Sequence, residues 1–212
     1  MTDGAGVFVF GASGHAKVVI DAIEREGLAR VVFVCDDAQE KHGTRLMGYL
    51  VGSREELLAR CSETSVGVVG IGDNAARTEV AQWLVEHGCA LARVVHPSAD
   101  IGREVAIEDG TVVMAGCVIN SGTRVGRNVI VNTGATVDHD CDVGDGAHIG
   151  PGSHLCGHVT VGERALVGAG TTIIPGVRIG SRATVGAGST VLVDVPDGAR
   201  AGGSPCRPLA TP

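Results

Sequence analysis

At 212 residues, with 44% hydrophobic content, 33 glycines and only 2% aromatic residues, the chain can hold one large or two small domains with aliphatic, small-residue cores. That apolar content argues against disorder, and 24 acidic against 17 basic residues leave a formal net charge of -7, which disfavours a nucleic-acid partner. The chain contains no run of about 18 apolar residues, and the N-terminal MTDGAGVFVFG lacks the charged-then-apolar plan of a signal peptide. The cysteines Cys35, Cys61, Cys89, Cys117, Cys141, Cys156 and Cys206 are odd in number and form no CxxC pair. A cytoplasmic protein with reduced thiols, most of them packed in cores, is the expectation.

VFVF at 7–10 predicts a short buried strand. GASGHAKVVIDAIEREG follows, with Val18, Val19, Ala22 and Ile23 at helical spacing and Gly27 placed to end the helix. GASGH at 11–15 is part of a phosphate-cradling pattern, in which glycines allow close approach and a helix N-terminus favours an anion; alone the motif is weakly specific. VVFVC at 31–35 predicts a second strand running into Asp36 and Asp37, whose carboxylates can accept hydrogen bonds from a base or ribose. Ser53 and Glu56 form a capping-box signature before Leu57 and Leu58. VGVVGIG at 66–72 predicts a third strand, and Asn74 is placed to cap the helix AARTEVAQWLVEHG. Alternation of this kind over residues 1–96 implies an α/β domain, a small Rossmann-like parallel sheet with ligands at the carboxyl ends of its strands.

The remainder, residues 97–212, changes period. Every sixth residue from Ile101 to Val191 is Ile, Leu or Val, and the fourth residue after each is only Val, Thr, Cys, Ala or Ser. Neither a helix nor an ordinary strand keeps such a step. The pattern predicts a parallel β-helix of hexapeptide repeats, with three flat sides and about 18 residues per turn. On the side carrying Val113, Val131, Ile149, Val167 and Val185, the third residue on is always glycine: Gly116, Gly134, Gly152, Gly170 and Gly188. Ala115, Thr133, Pro151, Ala169 and Ala187 run beside them, also short. Another side carries Asn128, Gly146, Arg164 and Arg182 at the same offset, so corners do not force glycine everywhere. A bare strip of this kind offers backbone amides and room for a long thin ligand.

The run TVDHDCDVGDGAHIGPGSHLCGHVTVG, residues 136–162, concentrates histidines, aspartates and two cysteines. His139, with Ser121 and Gly157 as coil neighbours, is expected mid-side and accessible, and Asp138 or Asp140 can polarise one ring nitrogen so that the other accepts a proton. Cys141 occupies an inward hexad position, and packing is the expectation for it and for Cys156. His148 is expected at a corner. His154 and His158 are four apart, but four-residue spacing aligns zinc ligands on an α-helix. With His154 at a corner and His158 mid-side they are not expected to converge, so no metal site is expected.

Both halves resemble the hexapeptide-repeat sugar acyltransferases with an N-terminal nucleotide-sugar domain. The marks are GASGHAK at 11–17, VVHPSA at 94–99, DHD at 138–140 and AGGSPCRPL at 201–209. The chain is similar in particular to N-acetyltransferases acting on nucleotide-linked 4-amino-4,6-dideoxy sugars, a set that includes the bacillosamine-pathway and perosamine enzymes. The resemblance implies a left-handed β-helix, a homotrimer, and acetyl-CoA lying along the coils between neighbouring subunits. It implies His139 as catalytic base with Asp140 beside it, where the bacillosamine-pathway enzymes have a glutamate. It implies cofactor contacts at His148, Gly157, Ala169 and Ala187, with Gly157 N–H as oxyanion donor, and no metal. Ser13, Gly14 and His15 are assigned to the sugar diphosphate, and Asp36 and Asp37 to the base or ribose. The favoured substrate is GDP-perosamine. The alternatives are a UDP-linked 4-amino sugar, a hydroxyl acceptor, a zinc enzyme of the γ-carbonic-anhydrase kind, and a non-catalytic nucleotide-sugar binder.

Overall fold

The computed structural model describes residues 6–27, 29–60 and 66–209; Cys61 and the N-terminal residues 1–5 lie outside the described residues. The chain forms two compact units, Met1–Pro97 and Ser98–Pro212. Among the described residues no helix is long and apolar enough to cross a membrane.

The first unit runs β1 (Gly6–Phe10), α1 (Gly14–Glu26), β2 (Arg30–Cys35), β3 (Arg45–Leu46), β4 (Tyr49–Gly52), α2 (Arg54–Arg60), β5 (Val66–Val69), α3 (Asn74–Glu86) and β6 (Ala90–Leu91). Its sheet has the order β3-β4-β2-β1-β5-β6 and is parallel except for the β3–β4 pair. The strand order reverses at β1, so the loops after β1 and β5 flank a switch point, the usual ligand crevice of such sheets. Phe8, Phe10, Phe33, Leu57, Val69 and Leu84 build the core.

Three local expectations need correction. Val18 is 42% exposed; the buried face of α1 is Ala16, Val19, Ile20, Ala22 and Ile23, because a helix turning about 100° per residue carries Val18 away from that stripe. Asp73, not Asn74, caps α3, its carboxylate accepting from Ala76 N–H at 2.9 Å. Asn74 opens the helix and accepts instead from the Arg77 guanidinium at 2.7 Å. The strand at Val66–Val69 is the fifth in the chain, because RLMGYL folds into a hairpin whose two-residue turn, Met47 and Gly48, has positive φ at both positions.

Other elements form as the local chemistry dictates. Gly27, at φ 71°, ends α1 with its N–H on Ile23 O. Ser53 and Glu56 cap α2 reciprocally, at 3.2 and 3.3 Å. Trp83 of α3 has the Arg54 guanidinium 4.4 Å over its ring and the His87 ring 4.3 Å away.

The second unit is a left-handed β-helix of two-residue parallel strands in register across coils: Val118–Ile119 pairs with Thr136–Val137, which pairs with His154–Leu155 and then Thr172–Ile173. From Val113 onward every hexad residue is buried, and so are the small residues four places on. Inward hydroxyls are satisfied across coils, as where Thr111 donates to Gly126 O at 2.6 Å and Ser153 to Gly168 O at 2.8 Å.

Two kinds of glycine recur. From Ile101 through Val185, each corner residue three places after a hexad residue adopts positive φ, whether it is Gly134 (67°), Asn128 (53°) or Arg182 (59°). A glycine directly after a hexad residue instead lets coils stack. A Cβ on Gly168 would lie 2.5 Å from Ala187 N and 2.7 Å from Val185 O, whereas one on Gly170 would meet nothing within 4 Å. Gly168→Ala is therefore expected to destabilise by about 3 kcal/mol or more, and Gly170→Ala by roughly 1–2 kcal/mol, the cost of the left-handed backbone. Urea unfolding midpoints of the two variants check the order.

Candidate active site

The site is built on one corner, residues 138–141, which four backbone bonds hold in place. Asp138 N–H donates to Leu155 O and Asp140 N–H to Ser121 O, while His139 O accepts from His158 N–H and Cys141 O from Arg124 N–H. Thr123, buried in the coil below, clamps both ends of the corner. Its hydroxyl donates to Asp138 O at 2.8 Å and accepts from Cys141 N–H at 3.2 Å.

The corner is a two-residue turn holding His139 and Asp140, not the middle of a side. The second and third residues after each strand form the bend, so His139 and His158 stand at corners. His148 and His154, each paired with its hexad residue, lie within strands (His148–Ile149 and His154–Leu155). All four expected positions are thus exchanged. The turn geometry explains this: the strand comprises the hexad residue and the one before it.

Asp140 is the carboxylate that orients the imidazole. His139 Nδ1 lies 2.8 Å from Asp140 Oδ2. Asp138 turns away to serve the frame, accepting from His139 N–H and from Asn120 Nδ2, both at 2.8 Å. Those two bonds hold the Asp138 carboxyl below the usual range. With Nδ1 donating to Asp140, Nε2 is left as the proton acceptor. The bond to Asp140 raises the His139 pKa; slight desolvation opposes this, and the charges of Asp138 and Asp140 add to it.

Gly157, one coil on from His139, makes room for the ring. A Cβ there would lie 2.6 Å from both His139 Cε1 and Nε2. Among the described residues no acceptor pairs with the Gly157 N–H. His158 stacks one coil on from Asp140, with its Nε2 3.8 Å from Asp140 Oδ2 and its ring edge-on to His139 at a centroid distance of 5.1 Å. His139, Asp140 and His158 present ligand-type atoms within 4.8 Å of one another, all on exposed side chains. His154 stands apart from them, paired with the Thr136 hydroxyl at 3.0 Å. Cys141 is core: its thiol donates to Cys156 O at 3.2 Å, and burial pushes its pKa up to about 11, which removes it as a nucleophile near neutrality. Cys156 is only partly buried.

The residues expected along the bare strip are brought together on a different edge. Ala169 and Ala187 occupy the turns beside Gly170 and Gly188. His148 lies in a strand leading into that edge and pairs with the Asn132 side chain at 3.1 Å. That edge and the His139 edge stand at opposite ends of one coil face, the face of Thr136–Val137 and His154–Leu155.

In the first unit, Gly11 (φ 109°) bends tightly enough that a Cβ would lie 2.9 Å from Ile71 Cγ1, joining the loops after β1 and β5. Ser13 is the N-cap of α1 but makes no side-chain capping bond, the first turn has no acidic residue, and a Cβ on Gly14 would meet open space. The positive helix end thus faces outward, with His15 half-buried in the first turn. Asp36 is engaged internally: it accepts from Ala12 N–H (2.6 Å), Ala38 N–H (2.9 Å) and Lys41 Nζ (2.8 Å). Burial raises its pKa, but these bonds outweigh that and hold the carboxyl below its ordinary value. Asp37 is gripped by Arg54 through two bonds of 2.6 and 2.7 Å and stays half exposed. Buried Arg77 ties the loop after β5 to α3 through Ile71 O and Gly72 O. Thr123, Asn120, Arg54 and Arg77 escaped the sequence reading. Stepping by one coil from Asp140 would have found His158.

Comparison with known proteins joins the two halves. Residues 6–84 match the PglD N-terminal domain, residues 101–139 the hexapeptide repeat of succinyl-transferase, and residues 140–175 and 158–192 the bacterial transferase hexapeptide. The chain is similar to a variant of perosamine N-acetyltransferase from Caulobacter crescentus, solved with CoA and GDP-perosamine (40% identity, 97% of each chain, TM-score 0.91). It is also similar to the acetyltransferase domain of PglB from Neisseria gonorrhoeae, solved with acetyl coenzyme A (34% identity, 97% of this chain and 100% of that one, TM-score 0.89). A curated relative, UDP-N-acetylbacillosamine N-acetyltransferase of Bacillus subtilis, is 33% identical over 110 residues, and the match spans only 51% of either chain.

The geometry makes two predictions. Asp140→Asn removes the largest influence raising the His139 pKa, so the His139 titration followed by NMR moves to lower pH. A reaction that needs neutral His139 then loses its acid limb at lower pH than in the wild type, with a reduced plateau. Gly157→Ala displaces a flexible ring rather than backbone, so its unfolding midpoint stays near wild type while kcat falls about tenfold or more.

Proposed function

The chain belongs to the hexapeptide-repeat sugar N-acetyltransferases with a PglD-type N-terminal domain, and we propose that it transfers acetyl from acetyl-CoA to the 4-amino group of a nucleotide-linked 4-amino-4,6-dideoxy sugar. The observation that carries the reading is the corner itself: an exposed imidazole, oriented by Asp140 through Nδ1, with Nε2 over a glycine whose N–H is free to donate. GDP-perosamine is the favoured acceptor, because the near-full-length likeness is to an enzyme solved with it. A UDP-linked 4-amino sugar is the second reading, favoured by the shorter match to the Bacillus subtilis enzyme.

In the proposed reaction the neutral sugar amine attacks the thioester carbonyl carbon and forms the C–N bond. His139 Nε2 takes the proton released from nitrogen, and the Asp140 carboxylate stabilises the imidazolium. Gly157 N–H donates to the oxyanion. Collapse breaks the C–S bond, and the departing thiolate takes the proton back from His139, leaving N-acetylated sugar and CoA. No covalent enzyme intermediate and no metal enters the sequence.

A homotrimer completes the site. His139 is 53% exposed and the glycine strip lies at the far end of its coil face, so one subunit's strip would meet the next subunit's His139 edge and exclude water. The pantetheine arm would run along that strip past Ala169 and Ala187, with His148 nearby. Ser13, Gly14 and His15 at the α1 N-terminus would hold the diphosphate. Asp37 is the better placed of the two aspartates to meet the base or ribose, since Asp36 already serves three donors. The free thiols fit a cytoplasmic enzyme.

Incubation with acetyl-CoA and a panel of GDP-, UDP- and dTDP-linked amino and hydroxy sugars, following thiol release, is expected to give turnover with amines only, GDP-perosamine best. His139→Asn lowers kcat by about 10³-fold or more while CoA binding persists, and EDTA dialysis leaves the rate unchanged. Turnover confined to hydroxyl acceptors, or loss of activity with metal, would overturn the reading.

A further inference from the structure

The base and its carboxylate have a third companion that the proposed chemistry does not use. His158 sits one coil on from Asp140 with φ 61°, a conformation unfavourable for a side chain of its size. On the same edge Gly122 and Gly176 meet that demand with glycine, at φ 74° each, while Glu104 and Asp140 meet it with side chains, at 59° and 57°. A bulky ring is kept where glycine would serve the backbone better. What it gains is contact with the site: its Nε2 is 3.8 Å from Asp140 Oδ2, the oxygen already paired with His139 Nδ1, and its ring edge meets the His139 ring at 90°.

Resting on the assignment of His139 as base, we infer that His158 is a positioning residue of the reaction. It acts through Asp140 and through the His139 ring rather than on either substrate. Standing 3.8 Å from Asp140 Oδ2, outside hydrogen-bond reach, its ring narrows the rotamers open to that carboxylate and competes for its charge. Its edge-on contact limits the rotation of the His139 ring, so that Nε2 keeps its place over Gly157. The charged groups acting on His139 are Asp140 and Asp138, and Asp138 is tied to Asn120 and the backbone. His158 therefore bears on the one carboxylate that faces the ring.

His158→Gly tests this without straining the fold, since glycine stands at the equivalent corners Gly122 and Gly176. His158→Asn keeps an N–H donor in a residue that tolerates positive φ, as Asn128 does at another corner. His158→Gly is expected to keep the wild-type melting temperature and KM for acetyl-CoA while kcat falls about tenfold. With Asp140 no longer shared, the His139 titration seen by NMR moves to higher pH, and the acid limb of kcat moves with it. His158→Asn recovers part of both. An unchanged kcat and an unchanged His139 titration in His158→Gly would overturn the inference. So would a kcat loss that only tracks a lowered melting temperature in both variants. The NMR titration needs no turnover, so it separates this inference from the assignment of His139. If His139→Asn kept full activity, the base assignment would fail whether or not the His158 coupling is seen.

Discussion

The vertical register of the coil is the constraint on which the site depends. Strand N–H groups find their acceptors on the neighbouring coil, as Asp142 N–H does on Val159 O, and His158 N–H at the corner bonds back to His139 O at 3.0 Å, while inward aliphatic residues stack beneath that ladder. A slip of one residue would turn the buried valines outward, so the hydrophobic repeat locks the phase. Once the phase is locked, Gly157 must lie against His139 and His158 against Asp140. Thr123 adds a pin from inside, its buried hydroxyl gripping both ends of the corner that carries His139. Precision at an exposed surface thus comes from order in the core.

How much of this was legible in the sequence follows from how repetitive each part is. The step of six and the small residues between steps told of the coil, because solvent exclusion acts identically at every repeat. The reciprocal bonds of Ser53 and Glu56 and the stop at Gly27 were legible because they are local. The corner positions of the histidines were not: the phase of the strand within the hexad depends on where the chain bends, and a count of apolar residues does not contain that. Val18 misled because neighbouring valines look alike until the sheet chooses a face. The β3–β4 hairpin was missed because its first strand is only Arg45–Leu46, too short to show a period.

Charged residues show the same division. Asp36 reads in the sequence as a ligand-facing carboxylate at a strand end, yet in the fold it accepts from Ala12, Ala38 and Lys41 and so holds the glycine loop against the end of β2. It thereby shapes the loop that carries Ser13 and Gly14. The buried Arg77 does the same for the loop after β5. Two charged side chains, neither facing outward, set the rim of the crevice from opposite sides of the switch point.

Trp83 is the chain's one tryptophan, and it is held between features of a single unit: Arg54 over its ring, Phe10 at 6.2 Å and His87 at 4.3 Å. The coils contain no comparable chromophore. Ultraviolet emission from tryptophan is therefore a private signal of the α/β unit, while far-ultraviolet dichroism reports the helices of that unit and the strands of both units together. One probe follows a single unit and the other follows both, so uncoupled unfolding of the halves would appear as two curves that fail to overlay.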